Sequence, residues 1–253
     1  MFFSKCEYKY LFLFRNQKLT NMKLKNSFLL KVSFIVLCAT LLFANISVYS
    51  QQLDGKNGIN KVSKNLYSLN GIEINTKENT VRIPCSVNMD KGLIEVALCH
   101  SEGKVHESLL VTENTPIEIQ TALLLIGLNP MNSIDEGSVL ESEEISFDRL
   151  EIFLVVEAGG KNKENRLEYF IRDERTKEAM KPCDWSFRGA SKGLDGNIVI
   201  DNGISVIATY QDPIALIELN SDDKQDDELF YVNSSFGLTK GQEVSLLIRK
   251  ANN

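Results

Sequence analysis

Thr115-Pro116-Ile117-Glu118 constrains the chain more than any other stretch, because it can begin only one kind of element. A threonine hydroxyl can cap a helix, and a glutamate three residues on can reach back to the cap's own N–H. Pro116 falls at the first helical position, where its missing N–H costs nothing. Ile119, Ala122, Leu123, Leu124, Leu125 and Ile126 follow. They predict one firm helix over 116–126, apolar on nearly every side and therefore buried. Gly127 suits a left-handed cap, and Pro130 prevents a restart. Such a helix is too short to cross a bilayer, which takes about 20 apolar residues.

The residues just before it read as extended. Leu93–His100 is one apolar run and Lys104–Val111, ending in Ser108-Leu109-Leu110-Val111, is a second strand signal, with Ser101-Glu102-Gly103 between them. A glycine in a short polar link predicts a hairpin. A three-residue loop puts His100 and His106 on one face; a two-residue loop puts Cys99 opposite His106. The sequence leaves both registers open.

The N-terminus reads as a targeting segment. Residues 1–21 show no core pattern and read as an upstream extension, with Met22 as the start. Lys23, Lys25 and Lys31 precede a dense apolar run from Phe34 to Ala44, and Val48-Tyr49-Ser50 forms a small-residue cleavage site. Residues 22–50 are therefore expected to be a signal peptide, cut after Ser50. A start at Met1 would lengthen the segment towards a membrane anchor. A lipoprotein reading is disfavoured by Leu37 before Cys38. Residues 51–71 read as a mobile lead-in, and 72–253 as a single domain.

Charge follows the same division. The first fifty residues hold seven Lys/Arg and one acid, leaving 21 basic and 33 acidic residues and a net of −12. That surface argues against nucleic acid and anionic membranes as partners. An envelope protein partner is the expectation that remains, with no stable membrane span after cleavage. Cys85, Cys99 and Cys183 would remain, leaving one disulfide and a free thiol or three core thiols. None stands in a C-x-x-C spacing, so neither a zinc knuckle nor an iron–sulfur cluster is supported, and no cofactor is expected.

Short strands dominate the remainder. Ile72–Ile74 and Val81–Ile83 read as a hairpin, Leu150–Glu157 as a strong strand partnered by Leu167–Arg172, and Trp185–Phe187 as a short aromatic strand. Ile198–Ala208 alternates around Asn202-Gly203, a type I′ turn pair. Pro213–Leu219 reads as a short helix or a strand end, and Leu229–Asn233 and Val244–Arg249 as closing strands. This pattern predicts an α+β domain: mainly antiparallel short strands in a twisted sheet or barrel, with the buried helix packed against it.

Candidate chemistry is sparse. His106 with Glu107 suits proton transfer or metal binding. On a strand, however, neighbours face opposite ways unless the strand is bulged. The plainer reading is one polar side chain pinning backbone beside the helix cap. His100 and His106 with Glu102 is the one His-based metal set available, without H-x-x-x-H spacing. Ser108 lacks a nucleophile elbow. Cys99 as a nucleophile beside His106 depends on register. Trp185 is a core residue or a ligand platform. Asp222, Asp223, Asp226, Asp227 and Glu228 do not follow an EF-hand spacing and read as a solvated loop.

Taken together, His106-Glu107-Ser108-Leu109-Leu110, Pro116, the helix Ala122–Gly127, Trp185-Ser186-Phe187-Arg188-Gly189, the Asn202-Gly203 hairpin and Gly241 before the last strand resemble the bacterial YdjY-domain family. The likeness runs from about Ile72 to Ile248. Many members look exported, and the family has no established activity. The resemblance therefore implies a fold and a compartment but no reaction. Some relatives are labelled ferredoxin-like; this chain lacks the cysteine spacing for that. The family's Gly-Ser after the aromatic strand is Gly189-Ala190 here, which removes a hydroxyl. The expectation is an exported, non-catalytic binding or accessory domain of the cell envelope. The alternative is a small exported enzyme or metal protein centred on His106 and Glu107.

Overall fold

The computed structural model describes residues 58–131, 147–158, 160–192, 198–199 and 205–252. The expected extension and signal peptide, the first seven residues of the lead-in, the greater part of the acidic loop after the helix and the Asn202-Gly203 turn lie outside the described residues. The strands are β1 Asn60–Lys61, β2 Leu66–Leu69, β3 Ile72–Asn75, β4 Thr80–Val87, β5 Val96–His100, β6 Ser108–Thr112, β7 Arg149–Ala158 and β8 Lys161–Arg166. They continue as β9 Ile171–Asp173, β10 Trp185–Phe187, β11 Ser191–Lys192, β12 Ile198–Val199, β13 Ser205–Ala208, β14 Ile217–Leu219, β15 Phe230–Val232 and β16 Glu243–Lys250. One α-helix, α1 Pro116–Leu125, stands among the described residues.

Eight strands close into a barrel in the order β4-β16-β7-β10-β14-β13-β5-β6, with β6 pairing back to β4. Alternation explains the wall. Val81, Ile83, Cys85 and Val87 of β4 are buried, as are Val244, Leu246 and Ile248 of β16 and Leu150, Ile152 and Leu154 of β7. Two long strands each serve two neighbours along one edge. The start of β4 pairs with β3 and its end with β6. The start of β7 pairs with β10 and the rest with β8. Thus β1–β3 and β8 splay off the wall as flaps while β6 and β10 continue the barrel.

This closed barrel overturns the α+β expectation: the domain is mainly β, and its helix is a cover, not a layer. The central hairpin is corrected too. β5 and β6 run parallel, with Leu98 beside Leu110 and His100 beside Thr112. A seven-residue return, Ser101–Glu107, brings the chain back alongside β5. β13 and β14 are likewise parallel. Closure decides this: strand directions in a closed ring match only if the antiparallel pairings are even in number, and with β13–β14 parallel and the six other pairings antiparallel, β5–β6 must be parallel.

Three more expectations shift. Residues 60–61 and 66–69, assigned to the lead-in, are strands, and Leu69 enters the core. β7 takes as partner the charged run Lys161–Arg166, and Leu167–Phe170 is a 3-10 turn. Ile198–Val199 pairs with Ser191–Lys192, while β13 has β5 on one edge and β14 on the other.

The capping chemistry of α1 is present as the sequence requires. Thr115 N–H donates to Glu118 Oε2 at 2.8 Å, and Glu118 N–H to Thr115 Oγ1 at 3.4 Å. At the other end Gly127 has φ +83°, its N–H donates to Leu124 O at 3.0 Å and Leu128 N–H to Leu123 O at 3.3 Å. The helix is not buried all round. Ile119, Ala122 and Leu123 face the core, whereas Ile117, Leu124 and Leu125 are 53, 45 and 45 % exposed. It crosses one mouth of the barrel. Asn70, on the turn before β3, donates to Glu118, and Gln120 Oε1 accepts from Ala190 N–H just past β10 at 2.6 Å.

Gly189 fastens that crossing. Its φ is +74°, and a Cβ there would lie 2.5 Å from Pro130 Cβ. Gly189→Ala is expected to cost about 2 kcal/mol or more, from left-handed strain plus the clash. Urea unfolding checks it; a loss below about 0.5 kcal/mol would mean that Pro130 moves aside freely.

Candidate functional site

The structure scatters the residues singled out from sequence. Val105–Glu107 is a 3-10 turn in the β5–β6 return, not a strand. That lets neighbouring side chains meet, and His106 Nε2 stands 3.4 Å from Glu107 Oε1. The imidazole is 73 % exposed, in open solvent. Ser108 is fully buried, with its hydroxyl donating to Leu110 O at 2.7 Å. His100 is buried on the other side of the return, and its Nδ1 accepts from Glu102 N–H at 3.2 Å. No group of three or more His, Cys, Asp and Glu side chains placed to hold a metal ion occurs among the described residues. Trp185 is fully buried on β10, with β5, β13 and β14 between it and β6.

A concavity with an apolar side lies elsewhere. A cleft of about 470 Å³ opens beside the segment joining β9 to β10. Met180, Pro182, Cys183 and Phe230 form its apolar side. Met180 is set in place by its N–H, which donates to Ile171 O at 2.7 Å. The rim is Thr176, Lys181, Ser221 and an ion-pair cluster. Arg175 bonds Asp173 through Nη2 at 2.8 Å and Nε at 3.1 Å, and Asp223 through Nη1 at 2.8 Å. The Arg175 guanidinium holds the Asp173 carboxyl below the usual range. Exposed pairs of this kind add little stability. Their effect here is to hold the 3-10 turn Asp222–Gln225 against the β9 turn, giving the cleft a fixed wall. Asp223 of the acidic run is thus a wall residue.

Behind the cleft sits a buried charge. Glu168 is fully buried in the 3-10 turn after β8. Its Oε1 accepts from Trp185 Nε1 at 3.1 Å, Arg166 Nη2 at 2.8 Å and Cys183 N–H at 3.3 Å; its Oε2 accepts from Arg166 Nε at 3.2 Å. Arg166 also donates to Cys183 O and pairs with Glu151 Oε1 at 2.9 Å. These donated bonds satisfy a carboxylate that would otherwise be costly to bury. Cys183 Sγ stands 3.7 Å from Glu168 Oε1. Burial pushes the Cys183 thiol up, and the adjacent Glu168 charge pushes it further. It is therefore a neutral, poorly nucleophilic thiol. Cys85 and Cys99, both free and buried, are raised by burial as well.

Sequence reasoning named Trp185, Cys183 and Asp223 singly and missed Glu168. The available signal was a lone acid between Leu167 and Phe170, both core residues.

Together these features define a closed eight-stranded β-barrel domain with one mouth covered by a capped helix and a ligand-sized cleft on its side. The chain belongs to the YdjY domain family, whose model matches residues 72–247. No curated protein and no solved structure matches it.

Proposed function

We propose that this chain is an exported accessory domain of the cell envelope that binds without catalysing, and that a small, largely apolar group seats in the cleft beside Cys183. One observation carries the reading. The cleft is ligand-sized with an apolar floor and polar rim, and its single thiol is held protonated. Export is supported by the sequence pattern over residues 22–50 and by the net charge of −12 on residues 51–253. No helix among the described residues is long and apolar enough to cross a membrane.

The probe 8-anilinonaphthalene-1-sulfonate tests the cleft in the full chain. At roughly 0.3 kcal/mol per non-hydrogen atom it should bind with a Kd of about 10–100 μM. Lys181→Trp, placing an indole over the rim, should abolish saturable binding. Binding unchanged by that substitution removes the cleft from the reading. Mass spectrometry of an envelope fraction tests export: the mature chain should begin at Gln51. Intact chain confined to the cytoplasm refutes it.

The contact between His106 and Glu107 favours a second reading, a metal or proton-transfer site at the return. Stoichiometric zinc or copper, lost in His106→Ala, would establish that reading over the first.

A further inference from the structure

The charges on the rim of the cleft beside Cys183 are not equally available to a ligand. Arg175 is committed within the protein: Nη2 and Nε bond Asp173 at 2.8 and 3.1 Å, and Nη1 bonds Asp223 at 2.8 Å. Asp173 is closed off further, since its Oδ1 also accepts from the Arg175 N–H at 2.9 Å. Two carboxylates share that one guanidinium, so the cluster keeps one negative charge in excess. Lys181 stands apart from it. Its side chain lies exposed on the rim, next in sequence to Met180 and Pro182 of the apolar side, and it bonds no partner among the described residues. The floor brings no charge of its own. Met180, Pro182 and Phe230 are apolar, and burial keeps the Cys183 thiol protonated. The Glu168 carboxylate behind that floor is met by Arg166 Nη2 at 2.8 Å.

We propose that the cleft takes an apolar molecule bearing a single anionic group, such as a carboxylate or sulfonate, with that group at Lys181 and the apolar body on Met180, Pro182, Cys183 and Phe230. The proposal rests on the cleft being the binding site and names the class of molecule that it holds. A lysine at the edge of an apolar surface lays its stem on that surface and keeps its ammonium in water. An anion can therefore pair with it without either charge being buried, which avoids the desolvation cost of an interior pair. A second anionic group on the ligand would meet the surplus charge of Asp173 and Asp223. A cationic ligand would bring like charge to Lys181. The acidic surface elsewhere is screened beyond about 8 Å at physiological salt, so the rim decides the preference.

Fluorescence titration of the full chain separates charge from shape. The anionic probe 8-anilinonaphthalene-1-sulfonate is compared with N-phenyl-1-naphthylamine, which has the same rings and no sulfonate. Lys181→Met keeps an apolar stem and removes the ammonium. It should weaken the anionic probe about fivefold, the worth of one exposed ion pair, and leave the neutral probe unchanged. Lys181→Arg should hold both probes within about twofold of wild type. In about 1 M salt, where the screening length is about 3 Å, wild type and Lys181→Met should bind the anionic probe alike. An anionic probe that Lys181→Met does not weaken, a neutral probe weakened equally, or a loss as large in Lys181→Arg would each overturn the anionic group while leaving the cleft as the site. Both probes binding unchanged in Lys181→Trp would remove the cleft itself, and this proposal with it.

Discussion

Glu168→Ala should lower stability by about 3–5 kcal/mol, because it strands a partly buried Arg166 and leaves the Trp185 indole N–H and the Cys183 N–H without an acceptor. At about 2–4 °C per kcal/mol for a domain of this size, the melting temperature should fall by roughly 6–20 °C. The Arg166–Glu151 pair survives the substitution and places the effect towards the lower end. Trp185→Phe separates the parts: it removes one donor, keeps most of the ring volume and should cost about 1 kcal/mol. Calorimetry on both variants checks the order. A Glu168→Ala loss of under about 1 kcal/mol would mean that water replaces the carboxylate, and the wall behind the cleft would not be rigid.

The second large effect concerns two adjacent leucines. Leu123→Ala should cost about 2–5 kcal/mol, since its side chain is fully buried beneath the helix and its removal leaves a cavity. Leu124→Ala, at a position 45 % exposed, should change stability by no more than about 0.5 kcal/mol. Denaturant unfolding of the pair decides how α1 is rolled on the barrel mouth. Equal losses would mean that both faces are packed, as the composition of the helix alone implies.

That pair shows where sequence reading ends. Ile117, Ile119, Leu123, Leu124 and Leu125 are equally apolar, so no periodicity distinguishes the buried side from the exposed one. A strand with a clean alternation, β4 above all, could be read directly because it has one dry face and one wet face. β8 could not. Lys161–Arg166 has no apolar residue, and its strand state comes from the edge that β7 leaves free once β10 has turned inward. The parallel pairing of β5 and β6 was equally hidden, since a short link containing glycine ordinarily makes a hairpin. At the site, the sequence marked Trp185 as an aromatic strand residue and Cys183 as a free thiol. Their meeting at Glu168 requires two backbone segments, 15 and 17 residues apart at these contacts, to converge.

The amino-acid sequence alone determined the capped helix, its two ends, the apolar faces of the long strands and the family. Those depend on bonds spanning a few residues, or on a pattern repeated along one strand. Tertiary structure decided the barrel, the flaps, the roll of the helix and the buried carboxylate. Each of these depends on which edge or face remains unoccupied after distant strands have paired, and no local preference encodes that.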